Sequence, residues 1–344
     1  MYIRETIYFI QKKIQMRKLI NGRALPLIVM LFYAAVPANA QYALFKKNAP
    51  SAPELFGEGI ISTNLNERDM ALSPDGAELF YTLQSPQGVF STIMYMRKKP
   101  SGVWSSPQVA AFSGHYSDME PVFSRDGKAL FFVSNRPLEG DSVKDYDIWK
   151  IARKDRGWGE AVNLGKPVNT SENEFYPSLA ASGNLYFTAN YPKGKGKEDI
   201  YVAKWENDHY AEPISLDSGV NSALYEFNAF VSPEEDYIIF SSYGRQDDMG
   251  RGDLYISFRS PDGRWKSAQN LRMVNSEKLD YCPFVSFDKK IFFFTSEKSS
   301  LKSYYGPLPA DLQTLKSSYN GIMNGQGNIY WISLLGLLAS VRRN

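Results

Sequence analysis

The sequence predicts an all-β chain, a five-bladed β-propeller of four-stranded antiparallel blades, and three observations carry that prediction. The stretch from Asp118 to Arg136, DMEPVFSRDGKALFFVSNR, reads as two strands joined by a tight Asp126-Gly127 turn. Asp-Gly between apolar runs supplies the positive φ that a two-residue hairpin needs. The pattern returns at Glu67, Glu174, Glu226 and Asp280, giving five copies about fifty residues apart. Within a copy four strand signals recur in fixed order, and no stretch reads as a convincing helix. A β-sandwich, the competing architecture, does not explain that order.

The elements follow in turn. An inner strand such as Pro121-Val122-Phe123-Ser124 comes first. A second strand, apolar on both sides of the pleat, follows as Leu79-Phe80-Tyr81, Leu130-Phe131-Phe132, Leu185-Tyr186-Phe187, Ile238-Ile239-Phe240 and Ile291-Phe292-Phe293. Such runs suit strands covered on both faces. After a polar loop, the third strand opens on an acid and an aromatic (Asp147-Ile148-Trp149, Asp199-Ile200-Tyr201, Asp253-Leu254-Tyr255), more weakly on Asn328-Ile329-Tyr330, and departs to Ile93-Met94-Tyr95 in the first copy. The fourth is expected near Trp104, Trp158, Tyr210 or Trp265. Each then leads into a segment like Val168-Asn169-Thr170, with an acid five residues after the Asn; Ile61-Ser62-Thr63 is a lone copy near the start. The last repeat lacks a clear fourth strand, so residues near Pro53 to Gly57 are expected to supply it and close the ring. Residues 298–327 read as an overlong loop, functional or disordered. The apolar tail after Leu334 is too short to span a bilayer.

The N-terminus reads as an export address. From Met16, a better start than Met1, a basic run (Arg17, Lys18, Arg23) precedes an apolar core from Leu25 to Ala35, and Ala38-Asn39-Ala40 suits a cleavage site. A membrane anchor would need about twenty uninterrupted apolar residues, and Pro26 and Pro37 bracket too few. The expected organisation is a leader over 1–40, a linker over 41–52, the propeller over 53–333 and a tail over 334–344. The location is the periplasm or cell surface, with no stable membrane span in the mature chain.

Composition narrows the chemistry. The 344 residues include 21 Phe and 22 Tyr, which β-rich packing favours. Net charge is +2, no argument for nucleic acid. Setting aside the six basic residues and one acid of the first forty leaves 33 basic against 36 acidic, a mildly acidic mature chain. The single cysteine, Cys282, allows no intrachain disulfide and reads as a buried, inert thiol rather than a nucleophile. His115 and His209, the only histidines, lie in no motif and read as surface loop residues.

SPDGAELFYT at Ser73 and FSRDGKALFFVSNR…DYDIWKIAR at Phe123 resemble the Pro-Asp variant of the WD-like propeller repeat, found in the periplasmic protein TolB and many exported bacterial proteins. The resemblance spans residues 54 to 333. It is looser in the later copies, where Ser182-Gly183 replaces Asp-Gly and the turns at Glu235 and Lys289 lack Gly. It implies a propeller, export and a binding or scaffolding role, and no single activity.

Two sets of residues are candidates for a site. The acids opening the inner strands, Glu67, Asp118, Glu174, Glu226 and Asp280, could ring one mouth of the central channel. Carboxylates that close repel, and burial raises their pKa unless cations or hydrogen-bond donors compensate. They would hold a divalent cation, a sugar or a basic peptide group; oxygen ligands would favour Ca²⁺, and no other cofactor is expected. The plainer reading, that each acid caps backbone N–H groups, is favoured by their strict repetition. The second set follows the second strand: Arg136, Asn190, Tyr191, Tyr243 and Arg245, donors and stacking surfaces suited to carbohydrate or carboxylate. An ordinary solvated loop competes with that reading. Arg251-Gly252-Asp253 is discounted as an integrin-type tripeptide because its Asp is a repeat position. The expected function is an exported envelope module, non-enzymatic, binding a protein, peptide or polysaccharide. The competing class is a glycoside hydrolase using carboxylates at the channel mouth.

Overall fold

The computed structural model describes residues 42–341 apart from Arg156 and Leu308. The leader therefore lies outside the described residues. Among the described residues the strands form one two-stranded ribbon and five four-stranded antiparallel sheets. Their inner strands are Asn66–Leu72, Asp118–Phe123, Glu174–Leu179, Tyr225–Val231 and Asp280–Val285, defining blades 1 to 5. Each inner strand contacts those of the blades before and after it, and blade 5 contacts blade 1, so the five form a ring.

Why both faces of the second strands are apolar is visible in the packing. Along Ala129–Ser134, Leu130 and Phe132 pack toward blade 1 while Phe131 and Val133 pack toward blade 3. Along Ile291–Ser296, Phe292 and Phe294 face blade 4 while Phe293 faces blade 1. Period-two alternation thus feeds two different inter-blade cores. The Val-Asn-Thr segments lock onto the third strands. Asn169 accepts from Ile148 N at 3.0 Å and donates to Ile148 O at 2.9 Å, and Asn221 and Asn275 do the same to Ile200 and Leu254. Ser62 replaces Asn in blade 5, bonding both backbone groups of Ile329.

The outer place of the last sheet is held by Glu54–Leu55, paired antiparallel with Asn328–Ser333. Phe56 beside it is fully buried, and Phe45 packs against Phe56, Trp104, Phe293 and Trp331. Within the stretch expected as a linker, Tyr42, Leu44 and Phe45 pack between blades 5 and 1, Tyr42 pairs with Trp104, and Pro50 O accepts from Ser333 N.

Several local expectations are corrected. Of the Asp126-Gly127 pair only Gly127 has positive φ, at 68°. The turn is wider than two residues because Ser124 Oγ accepts from Ala129 N and donates to Asp126, leaving one left-handed position, which Glu235 and Lys289 occupy without glycine in blades 4 and 5. Trp104, Tyr210 and Trp265 precede the outer strands, which are Gln108–Val109, Ile214–Ser215 and Gln269–Asn270; Trp158 alone lies within its own, Gly157–Asn163. An outermost strand has one neighbour and needs only two residues of pairing, and the buried Trp104 and Trp265 act as packing anchors before it. Among the described residues two α-helices stand where none was expected. Leu312–Tyr319 lies in the 298–327 insertion, capped by Asp311, whose carboxylate accepts from Thr314 N at 2.7 Å. Leu334–Val341 buries Leu334, Leu337 and Val341 against blades 4 and 5. Among the described residues no helix is long and apolar enough to cross a membrane.

Candidate functional site

All five inner-strand acids are at most 1% exposed. Their oxygens are turned to the segment just before them. Thr170 and Ser222 each give Glu174 and Glu226 a backbone N–H and a hydroxyl, and Ser276 gives both to Asp280. Thr63 does the same for Glu67, and Ser113 Oγ donates to Asp118 at 2.8 Å. Each acid pins its inner strand to the chain entering the blade.

The second candidate set meets the first. Arg136 Nη2 donates to Asp118 at 2.7 Å, Tyr191 Oη to Glu174 at 2.9 Å and Arg245 Nη2 to Glu226 at 2.9 Å. Both guanidiniums are held over aromatic rings, Arg136 over Phe132 and Trp149, Arg245 over Phe240 and Tyr255. Donor and carboxylate therefore compensate each other inside the blade. Asn190 and Tyr243 are not drawn in; both side chains are exposed. The third-strand Asp199 and Asp253 cap loop N–H groups of Lys195, Gly196 and Met249. A side chain at Gly196 would sit 2.4 Å from Leu224 O, so that loop needs glycine. Asp253 is fully buried, which leaves the acid of the Arg-Gly-Asp tripeptide out of reach from the surface.

A different set converges on the axis. Every inner strand carries a bulge, and two residues after each acid the chain turns left-handed: Asp69, Glu120, Tyr176, Asn228 and Cys282, with φ between 47° and 57°. These five residues, one per blade, meet around Arg68. Its guanidinium donates to Asp69 at 2.8 Å and to Glu120 at 2.7 Å, approaches Cys282 Sγ at 3.4 Å and lies over the Tyr281 ring. Asn228 and the Tyr176 N–H also donate to Glu120, the Cys282 thiol donates to Asp69, and Tyr176 Oη reaches across to Pro283 O. Asp69 Oδ2 is buried without a partner. The cavity beside Asp69 and Glu120 is about 20 Å³, room for about one water. Repetition could not reveal this cluster, since its five members differ in type; the bulge and its left-handed residue are what they share.

Burial raises the carboxyls. Glu174 is pushed up to about 7 and Asp280 to about 6, with Glu67 raised in the same direction. Glu120 is raised to about 8 by burial, against the pull of Arg68 and with added repulsion from Asp69. Burial also raises the Cys282 thiol, which fits an inert side chain. Groups raised above their unfolded values bind more protons when folded. Their contribution is complete below about pH 4 and is lost as pH rises through 6 to 8. The turn carboxyls Asp75, Asp126 and Asp288 are lowered instead, so their stabilisation is lost only on the acid side. We therefore expect the thermal midpoint, followed by circular dichroism, to fall between pH 5 and pH 8; a midpoint rising over that range would contradict protonated carboxyls in the folded ring.

The molecule is a five-bladed β-propeller closed around a polar axis. No family model and no curated protein matches the chain. Solved structures do resemble it. TolB from Acinetobacter baumannii aligns at 13% identity and TM-score 0.45 over 85% of this chain, which spans 63% of TolB's length. A structure titled glycoside hydrolase aligns at 8% identity and TM-score 0.50, covering 87% of this chain and 91% of the other. An exo-1,5-α-L-arabinanase from a bovine ruminal metagenomic library aligns at 11% identity and TM-score 0.44, covering 79% and 94%. At these identities the likeness is one of fold.

Proposed function

We propose that the chain is an exported binding or scaffolding propeller of the bacterial cell envelope, taking a protein, peptide or glycan and turning nothing over. The observation that supports this most is the state of its acids. A glycosidase needs two carboxyls flanking an open site with room for a sugar ring and water. Here the inner-strand acids are buried against their own capping donors, and at the axis Arg68 bridges Asp69 and Glu120 beside a cavity of about 20 Å³. One observation favours the hydrolase instead: Glu120, raised by burial, shares Arg68 with Asp69, whose other oxygen is buried without a partner.

Incubation with envelope polysaccharides separates the two. The binding reading expects co-sedimentation with polysaccharide or envelope protein and no new reducing ends. Reducing ends that appear with time, and stop in a folded Glu120→Gln variant, would establish the hydrolase in its place.

A further inference from the structure

A large cavity lies between blades 2 and 3. It measures about 720 Å³, within the range of ligand sites, and is bordered by the inner-hairpin turn of blade 2, the chain joining the two blades, and a short ribbon. That ribbon, Trp205–Glu206 paired with His209–Tyr210, extends the third strand of blade 3, as Arg153 and Lys154 paired with Trp158 and Gly157 extend that of blade 2; among the described residues blade 3 alone places a tryptophan on the third-strand side of the pairing. Its turn, Asn207-Asp208, has positive φ at both positions, the geometry of a two-residue hairpin.

The lining is cationic and aromatic. Arg125, Lys128, Lys150 and Lys166 are exposed along it, and none of them forms an ion pair among the described residues. Asp126 and Asp208 are the acids of the lining, with Glu234 close enough to Arg125 to feel its charge, and Asp126 already accepts from Ser124 Oγ and Lys128 N. This concentration of positive charge stands on a mature chain that is mildly acidic overall. Trp205, 41% exposed, forms one wall and is braced edge-on by Tyr210 at 4.8 Å. Gly183 lies against it: a Cβ there would fall 3.1 Å from that of Trp205, so the glycine makes room for the indole. Lys150 sits with its ammonium over the Phe131 ring, 5.5 Å from its centroid.

An exposed indole offers an apolar plane, and the lysines and arginine offer charge-assisted hydrogen bonds. From this pairing we infer that the groove between blades 2 and 3 binds an acidic oligosaccharide, its uronate carboxylates on Lys128, Lys150 and Arg125 and one sugar face on Trp205. A single exposed ring suits one sugar plane, whereas a nucleic-acid strand would call for successive stacking platforms. The inference rests on the binding reading above and gives it a ligand class.

The test is titration of the full chain with oligomannuronate, followed by calorimetry, with neutral manno-oligosaccharide of equal length as control. Binding to the acidic oligomer alone, weakening with salt, is expected. Trp205→Ala and the pair Lys128→Ala with Lys150→Ala should each weaken it by about tenfold or more, and the lysine pair, both exposed, should leave the urea midpoint unchanged. Absence of binding, equal binding of polyglutamate or single-stranded DNA, or binding that survives both sets of substitutions would overturn the assignment. The two readings fail separately. Envelope polysaccharide held equally well by the groove variants would sink the groove and leave the module, while released reducing ends would sink the module itself.

Discussion

Replacing Arg68 with Met should cost about 3–5 kcal/mol of stability, because it leaves two buried carboxyls without their cation. The guanidinium touches Asp69, Glu120 and Cys282 together, and its side chain is 13% exposed. Methionine fills much of the same space, so lost packing is a minor part of the change. The pH dependence separates charge from packing. Without Arg68 the folded pKa of Glu120, already raised, moves further above its unfolded value. Stability is then lost over a longer pH range, and the gap between variant and parent, constant while both hold the proton, widens from about pH 7 to pH 9 as the parent's Glu120 ionises. Urea midpoints at the two pH values check this. Equal losses at both would mean that Arg68 serves as filler.

The ring was legible in the sequence because its signal is repetition. Apolar runs on both faces of the second strand, such as Leu130-Phe131-Phe132, can only be satisfied by neighbours on both sides, which the inter-blade cores supply. The inner-strand acids were legible as repeat positions for the same reason. Their partners were harder to see, since the donor is Arg136 in one blade, Tyr191 in the next and Arg245 in another, at unequal distances along the chain. The axial residues were illegible because a bulge moves the convergent position two residues past the acid and five different side chains fill it. The outer strands were displaced by a plausible error: a buried Trp marks packing, and in blades 1 and 4 it comes before the paired segment. The ribbon had a readable signal in Asn207-Asp208 flanked by aromatics, the residue types that tolerate positive φ twice in succession.

The account depends on the inner-strand acids being rivets of the ring rather than reactive groups, and Glu226 offers the sharpest trial of that role. Its carboxylate accepts from Ser222 N at 2.8 Å, Ser222 Oγ at 2.7 Å, Ser242 Oγ at 3.0 Å and Arg245 at 2.9 Å, and it has no exposure to solvent. Glu226→Gln keeps the shape, removes the charge opposite Arg245 and turns one acceptor into a donor facing other donors. The urea unfolding midpoint of this variant is the deciding measurement. A fall equivalent to about 3–5 kcal/mol is predicted, with ligand binding by the folded protein unchanged. A midpoint equal to the parent's, accompanied by lost binding or lost turnover, would contradict it.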